Sequence, residues 1–197
     1  MRAHKGMFIV FEGIDGSGKT SCAESVSKML GKEREVVSTA EPTREDIGSL
    51  IRSSSGLIPE AEALLFVADR AQHTQRIKQW VSEGKIVICD RYYASTLAYQ
   101  AAPMNGCSVD IGWLKVMNDK VIKEPDMTFL FDIDPEVGLG RTESRRSKSK
   151  FESSVYLNEV RANYLRIANE RGFVIIDASY SKEEVADMVM KHILNAM

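Results

Sequence analysis

The chain has 197 residues, 44% of them apolar and 27% charged, with a formal net charge of −2. That length supports one sizeable core, so a single domain over 1–197 is expected, and a slightly acidic chain has no overall basic field to gather nucleic acid. Three cysteines, Cys22, Cys89 and Cys107, are odd in number and form no C-x-x-C, which argues against a disulfide framework or a zinc site and fits a reducing cytoplasm.

The cysteines read as small buried hydrophobes. The opening residues 1–6 are short and polar, and the apolar run behind them stops at Glu12. It is too short for a membrane span and lacks a signal-peptide pattern, so no membrane partner is expected.

The first predicted strand, 8–11, runs directly into Gly13-Ile14-Asp15-Gly16-Ser17-Gly18-Lys19-Thr20. This fits G-x-x-x-x-G-K-[ST], and a helical stretch begins near Lys19. Strand, glycine loop and helix together make a phosphate cradle. The glycines let backbone N–H groups turn inward, and the helix N-terminus adds partial positive charge. Lys19 can reach the outer phosphates, and the Thr20 hydroxyl can sit on a magnesium ion.

Further short apolar runs at 36–39, 86–89, 128–131 and 174–176 read as strands covered on both faces. The intervals are long enough for helical crossovers, so the five strands should form a parallel, doubly wound α/β sheet. Ligands in such sheets lie at the carboxyl ends of the strands. After the second strand comes Glu41-Pro42-Thr43-Arg44-Glu45-Asp46, then a short helix ending near Arg52. Arg44 and Arg52 are either surface groups or anion ligands.

Pro59 opens a long predicted helix, 60–83, stopped by Gly84. Ala61, Leu64, Leu65, Ala68 and Ala71 follow helical spacing as a core stripe. Phe66 and Arg70 lie four apart on another face, where a flat ligand could stack on one and bond to the other, or where they could simply cover a second apolar surface. The third strand leads into Asp90-Arg91-Tyr92-Tyr93-Ala94-Ser95-Thr96. Asp90 is placed to help hold magnesium or its water shell, and Arg91 to reach an anion in the same crevice. Ser95, Thr96 and Tyr99 have the character of a pocket wall.

The fourth strand ends at Asp132-Ile133-Asp134-Pro135, with Asp134 as N-cap and Pro135 opening a helix. The basic, serine-rich run 141–150 that follows carries Arg141, Arg145 and Arg146. It reads as solvated charge, as a nucleic-acid or targeting patch, or as a short lid, about 141–152, closing over phosphates. A helix over 153–171 with Gly172 as its stop comes next. Ser181-Lys182-Glu183-Glu184 reads as a capping box before a final helix, 185–194.

These pieces, in this order, resemble the thymidylate kinase family of nucleoside monophosphate kinases over nearly the whole chain. The resemblance lies in Phe11-Glu12-Gly13 through Thr20, Glu41-Pro42, Leu65-Phe66 with Arg70, Asp90-Arg91-Tyr92 with Ser95 and Ala98-Tyr99-Gln100, and Ile176-Asp177-Ala178-Ser179. It implies a phosphate-loop NTPase fold, ATP and dTMP as substrates, magnesium with the ATP, a homodimer and a cytoplasmic location. It also implies that Phe66 stacks on thymine, that Arg70 bonds its O4 and that Ser95 and Thr96 lie near N3. Tyr99 would crowd the 2′ position. Arg91 would hold the acceptor phosphate, with Arg44 or Arg52, and Asp15 would meet the 3′-hydroxyl or an arginine. Gly16 stands where one subtype has a loop arginine, so the chain resembles the lid-arginine subtype, with Arg141, Arg145 and Arg146 as candidates. Two departures stand out. Ala40 occupies a position often held by arginine, and the Asp-Arg often found near Phe151-Glu152 is absent.

The expected reaction moves the γ-phosphoryl group of ATP onto dTMP. The acceptor is already an anion near neutral pH and needs no strong base, in keeping with the lack of an evident His–acid pair near the motifs. Another nucleoside monophosphate such as dUMP remains an alternative acceptor. A nucleotide-dependent switch is the other alternative, lowered by the absence of N-K-x-D.

Overall fold

A computed structural model describes residues 5–104, 107–142 and 150–197. Five strands, β1 (Met7–Glu12), β2 (Val36–Ala40), β3 (Ile86–Asp90), β4 (Met127–Asp132) and β5 (Val174–Asp177), form one sheet in the order β2-β3-β1-β4-β5. Every pairing is parallel. The helices are α1 (Lys19–Leu30), α2 (Asp46–Ser53), α3 (Pro59–Ser82), α4 (Tyr93–Gln100), α5 (Ile111–Asp119), α6 (Pro135–Thr142), α7 (Lys150–Arg171) and α8 (Lys182–Ala196). This is the doubly wound arrangement expected of alternating strands and helices.

The central strand, β1, is buried on both faces from Phe8 to Phe11 and stacks edge-on against Phe129 of β4. Each strand outruns the predicted apolar run by one residue at its carboxyl end. Those extra residues are Glu12, Ala40, Asp90, Asp132 and Asp177, and the ladder pairs Ala40 with Asp90 and Asp132 with Asp177. A ladder is made of backbone bonds and continues under polar side chains. Four carboxylates are thereby fixed at the edge where ligands bind.

Helix stops and caps follow the expected chemistry. Gly84 and Gly172 take φ of 83° and 70°, the left-handed conformation that ends helices. Asp134 Oδ1 accepts from the Glu136 N–H, and Ser181 and Glu184 form the capping box. Two helices, α4 and α5, were not anticipated. The second is capped by Asp110, which accepts from the Trp113 N–H at 2.7 Å.

The stripe expected on α3 is corrected. The residues it buries include Ala63, Val67, Arg70, Thr74 and Ile77, with Asp69 and His73 beside them, while Leu64 is exposed. An apolar pattern cannot register polar groups whose partners arrive from other elements. Cys107 is exposed, unlike buried Cys22 and Cys89, and all three are free thiols. Among the described residues no helix is long and apolar enough to cross a membrane.

Candidate active site

The glycine loop bends off β1 with Gly13 at φ 144°, Gly16 at 81° and Gly18 at 86°. A Cβ at Gly16 would run into the Gly138 carbonyl, so helix α6 packs on the loop with no room for a side chain. Gly18 is the left-handed N-cap of α1. Lys19 is 5% exposed, and its Nζ donates to the Ile14 carbonyl at 3.1 Å. Burial brings its pKa down to about 8. The Arg91 cation pushes the same way, and Asp90, Asp15 and Glu12 oppose it.

Beside Lys19, the Thr20 hydroxyl donates to Asp90 Oδ2 at 2.5 Å. Asp90 Oδ1 and Ser17 Oγ are buried and have no partner. Orphaned oxygens at a phosphate loop suit a hard cation. Among the described residues no cluster of three acidic, histidine or cysteine groups could hold a metal by itself. That fits magnesium, which takes one or two carboxylates and completes its shell with phosphates and water.

The opposite wall begins where β3 ends. Arg91 has φ 69°, unusual for a residue with a side chain, and its N–H donates to the Phe11 carbonyl at 2.9 Å. Glu12 holds this bend from below. Its Oε1 accepts from the N–H groups of Tyr92 (2.9 Å) and Ser95 (3.2 Å), and its Oε2 from the Ser95 hydroxyl (2.6 Å) and the Tyr164 hydroxyl (3.2 Å). A carboxylate from another strand thus caps the start of α4, where its charge also meets the helix dipole. Glu12 is fully buried, which raises its pKa, while Ser95, Arg91 and the Tyr92 N–H pull it back down.

The Arg91 guanidinium lies over the Tyr99 ring and donates to Asp15 Oδ1 at 2.6 Å. Its other contacts are Ser95 Oγ at 3.2 Å and the hydroxyls of Tyr164 and Tyr99 at 3.4 Å. Asp15 therefore meets an arginine, one of the two partners expected for it. The Ser95 hydroxyl is taken up by Glu12 and Tyr164, and its neighbour Thr96 faces the other way, toward Arg70.

Arg70 is 1% exposed, deeper than its place outside the expected core stripe implied. Its Nη1 donates to Asn118 Oδ1 at 2.5 Å, and its Nη2 to Thr96 Oγ1 at 3.1 Å. Nη2 also lies 2.6 Å from Glu41 Oε2, and the cation sits against the Tyr92 ring. Phe66, one turn earlier on α3, is half-buried. The structure corrects the expectation of no His–acid pair. His73 Nδ1 lies 2.8 Å from Glu41 Oε1, and its Nε2 lies 2.8 Å from Thr39 Oγ1.

Arg44 and Arg52 are both exposed, and Arg52 folds back to donate to the Pro42 carbonyl at 2.9 Å. Arg141, at the end of α6, donates to the Ala178 carbonyl at 3.1 Å and reaches the Gly16 carbonyl at 3.5 Å. It stands between the glycine loop and the turn after β5. Arg145 and Arg146 lie outside the described residues. A cavity of about 460 Å³ lined by Ile175, Asp177, Met188 and His192 lies on the outer edge of the sheet and holds none of these groups.

Sequence reasoning did not assign roles to Glu12, Glu41, His73, Asn118 or Tyr164. His73 lies three residues after Arg70, a helical neighbour spacing that could have drawn attention. Asn118 and Tyr164 carry no local signal of this role, since Arg70 and Ser95, the side chains they meet, are more than 40 residues away.

The comparisons with known proteins give the family. Residues 11–189 match the family model described as thymidylate kinase. The chain is 40% identical over 184 residues to the probable thymidylate kinase of Pyrobaculum aerophilum, covering 91% of this chain and 92% of that one. It is 43% identical over 176 residues to that of Pyrococcus horikoshii, covering 83% of each, and 39% identical over 194 residues to that of Methanocaldococcus jannaschii, covering 96% of each. With a phosphate loop facing an arginine wall and a family match across most of its length, this chain belongs to the thymidylate kinase family, enzymes that phosphorylate a nucleoside monophosphate.

Proposed function

We propose that the crevice transfers the γ-phosphoryl group of ATP to the phosphate of dTMP, giving dTDP and ADP, with the donor on residues 13–20 and the acceptor against Arg91, Tyr99, Phe66 and Arg70. The observation that carries this is one continuous chain of contacts. Asp15 on the glycine loop bonds Arg91, Arg91 bonds Ser95, and the next residue, Thr96, bonds Arg70. Phosphate-binding and base-side groups are thus joined across the first turn of α4.

Transfer between two phosphates depends on alignment and charge neutralisation. Lys19 and the loop N–H groups hold the donor, and Arg91 draws the acceptor phosphate toward it. Thr20 and Asp90, the latter partly through water, would hold magnesium, which when bound offsets phosphate charge. Arg141 stands at the donor edge, where a small movement brings it over ATP. Arg52, tied to the Glu41-Pro42 loop by its bond to the Pro42 carbonyl, is better placed to assist the acceptor than Arg44.

Phe66 offers a half-buried ring for the base. Arg70 keeps a buried Nε–H without a partner, a donor that a ligand carbonyl would satisfy. Tyr99, under Arg91, stands where the sugar would pass. The protein is further read as a cytoplasmic homodimer. The free thiols fit that compartment, and exposed Leu57, Ile58 and Leu64 offer an apolar face for a second copy. Steady-state turnover on dTMP, dUMP, dCMP, UMP and AMP tests the assignment. The highest kcat/KM is expected for dTMP, and a clear preference for any other acceptor would overturn it.

A further inference from the structure

We propose that Glu41 is the positioning residue that turns Arg70 into a fixed reader of the base and so sets discrimination between thymine and cytosine. This rests on the reading of Arg70 as the group that meets the base. A guanidinium has five donors. Nη1 is hydrogen-bonded to Asn118 and Nη2 to Thr96, while Glu41 Oε2 lies 2.6 Å from Nη2 as an ion pair and, like Arg70 Nε, has no hydrogen-bond partner among the described residues. These three anchors come from three different elements. Asn118 is itself held through its donation to the Leu114 carbonyl at 2.8 Å. Glu41 is the only charged one, and both it and Arg70 are almost wholly buried, with side chains 3% and 1% exposed.

Glu41 is held as firmly as the cation it faces. Its N–H continues the ladder to the Asp90 carbonyl at 3.1 Å, and its Oε1 is engaged by His73. His73 is anchored in turn on Thr39. Two residues on, Asp69 of α3 accepts from both the Thr43 N–H (2.7 Å) and the Thr43 hydroxyl (2.6 Å), strapping the loop to the helix that carries Arg70. The carboxylate therefore cannot follow the guanidinium if it drifts.

The consequence is chemical. Arg70 keeps Nε–H unsatisfied in a buried place, and a guanidinium only donates. Thymine and uracil present an acceptor at O4, whereas cytosine presents an amino donor at the same place. Discrimination holds only while the donor cannot retreat. With a neutral residue at 41, the guanidinium keeps an amide, a hydroxyl and the Tyr92 ring but no opposite charge, and it can withdraw to admit water or the amino group.

The test is steady-state kinetics of Glu41→Gln and Glu41→Asp beside Arg70→Met and the Glu41→Gln/Arg70→Met double variant, with Tm for each. Glu41→Gln is expected to raise the dTMP KM about tenfold while the ATP KM stays within about twofold. The dTMP-over-dCMP ratio of kcat/KM should fall about tenfold. Glu41→Asp, which keeps the charge, should recover part of both, and it carries the test if the glutamine variant does not fold. In the Arg70→Met background, Glu41→Gln should change neither further. A lowered Tm with the dTMP KM and selectivity unchanged would make Glu41 a purely structural residue and overturn the inference. Additive losses in the double variant would overturn it too. If Arg70→Met itself leaves dTMP use intact, the reading of Arg70 fails first, which separates the two failures.

Discussion

On the proposed reading, the donor side of the crevice is built chiefly from one stretch, residues 13–20, and presents mostly backbone, with Asp90 and Arg141 at its margin. The acceptor wall draws Glu41, Arg70, Arg91, Thr96, Asn118 and Tyr164 from separate elements and presents side chains. The contrast reflects what each must recognise. Phosphates are alike in every nucleotide, and a glycine loop with inward N–H groups serves them all. A particular base needs donors held at one position and orientation, and that requires anchors from several directions. The donor side is thus a local motif, while the acceptor side exists only once the chain has folded.

Substitutions can break this contrast at either end. The largest effect is expected from Lys19→Ala. It removes the lysine of the glycine loop and should lower kcat/KM about a thousandfold with the Tm nearly kept. Near-normal turnover would show that the glycine loop is not the donor site. Arg91→Ala should lower kcat/KM for dTMP about a hundredfold and raise the dTMP KM more than the ATP KM. Equal damage to both nucleotides would erase the division into donor and acceptor sides.

A smaller effect comes from pH. Lys19 has its pKa lowered to about 8, so above that pH the free enzyme loses the charge that attracts phosphate. ATP affinity should fall about tenfold per pH unit beyond it until the lysine is neutral, and Lys19→Ala should remove the dependence. Stability runs the opposite way. Between pH 8 and the ordinary lysine value near 10.5, the unfolded chain holds a proton that the folded chain has shed, so the Lys19 contribution to stability rises with pH. Parallel falls in ATP affinity and in Tm attributable to Lys19 would contradict this.

The smallest effect is expected from Tyr164→Phe. It deletes a hydroxyl that meets Ser95 at 2.7 Å and Glu12 at 3.2 Å. The cost should be about 1 kcal/mol of stability, with a few-fold rise in the dTMP KM and none for ATP, read by denaturant unfolding and kinetics. A rise confined to ATP would place Tyr164 in service of the wrong side.

Much of the architecture could be read from sequence because its signals are local. The five strands announce themselves as apolar runs, although only β1, β3 and β4 are buried and the edge strands β2 and β5 are partly exposed, against the expectation of cover on both faces; Gly84, Gly172 and Ser181 mark helix ends by their own chemistry. Helix α4 was missed because its cap is Glu12, 80 or more residues earlier in the chain than the N–H groups it meets. The buried face of α3 was misread because Asp69, Arg70 and His73 are apolar neither in type nor in pattern; they are buried because Thr43, Glu41 and Asn118 meet them. The residues that hold Arg91 and Arg70 were mostly absent from the sequence reading, even though those two arginines were named in it.

The order of residues alone therefore determined the phosphate loop, the parallel sheet and the type of enzyme, since periodicity and a contiguous motif act over a few neighbouring positions. Tertiary structure decided which arginines are held, by what and how rigidly. A buried cation is stable only beside partners brought in by other segments, and no local pattern in the chain encodes where those partners arrive.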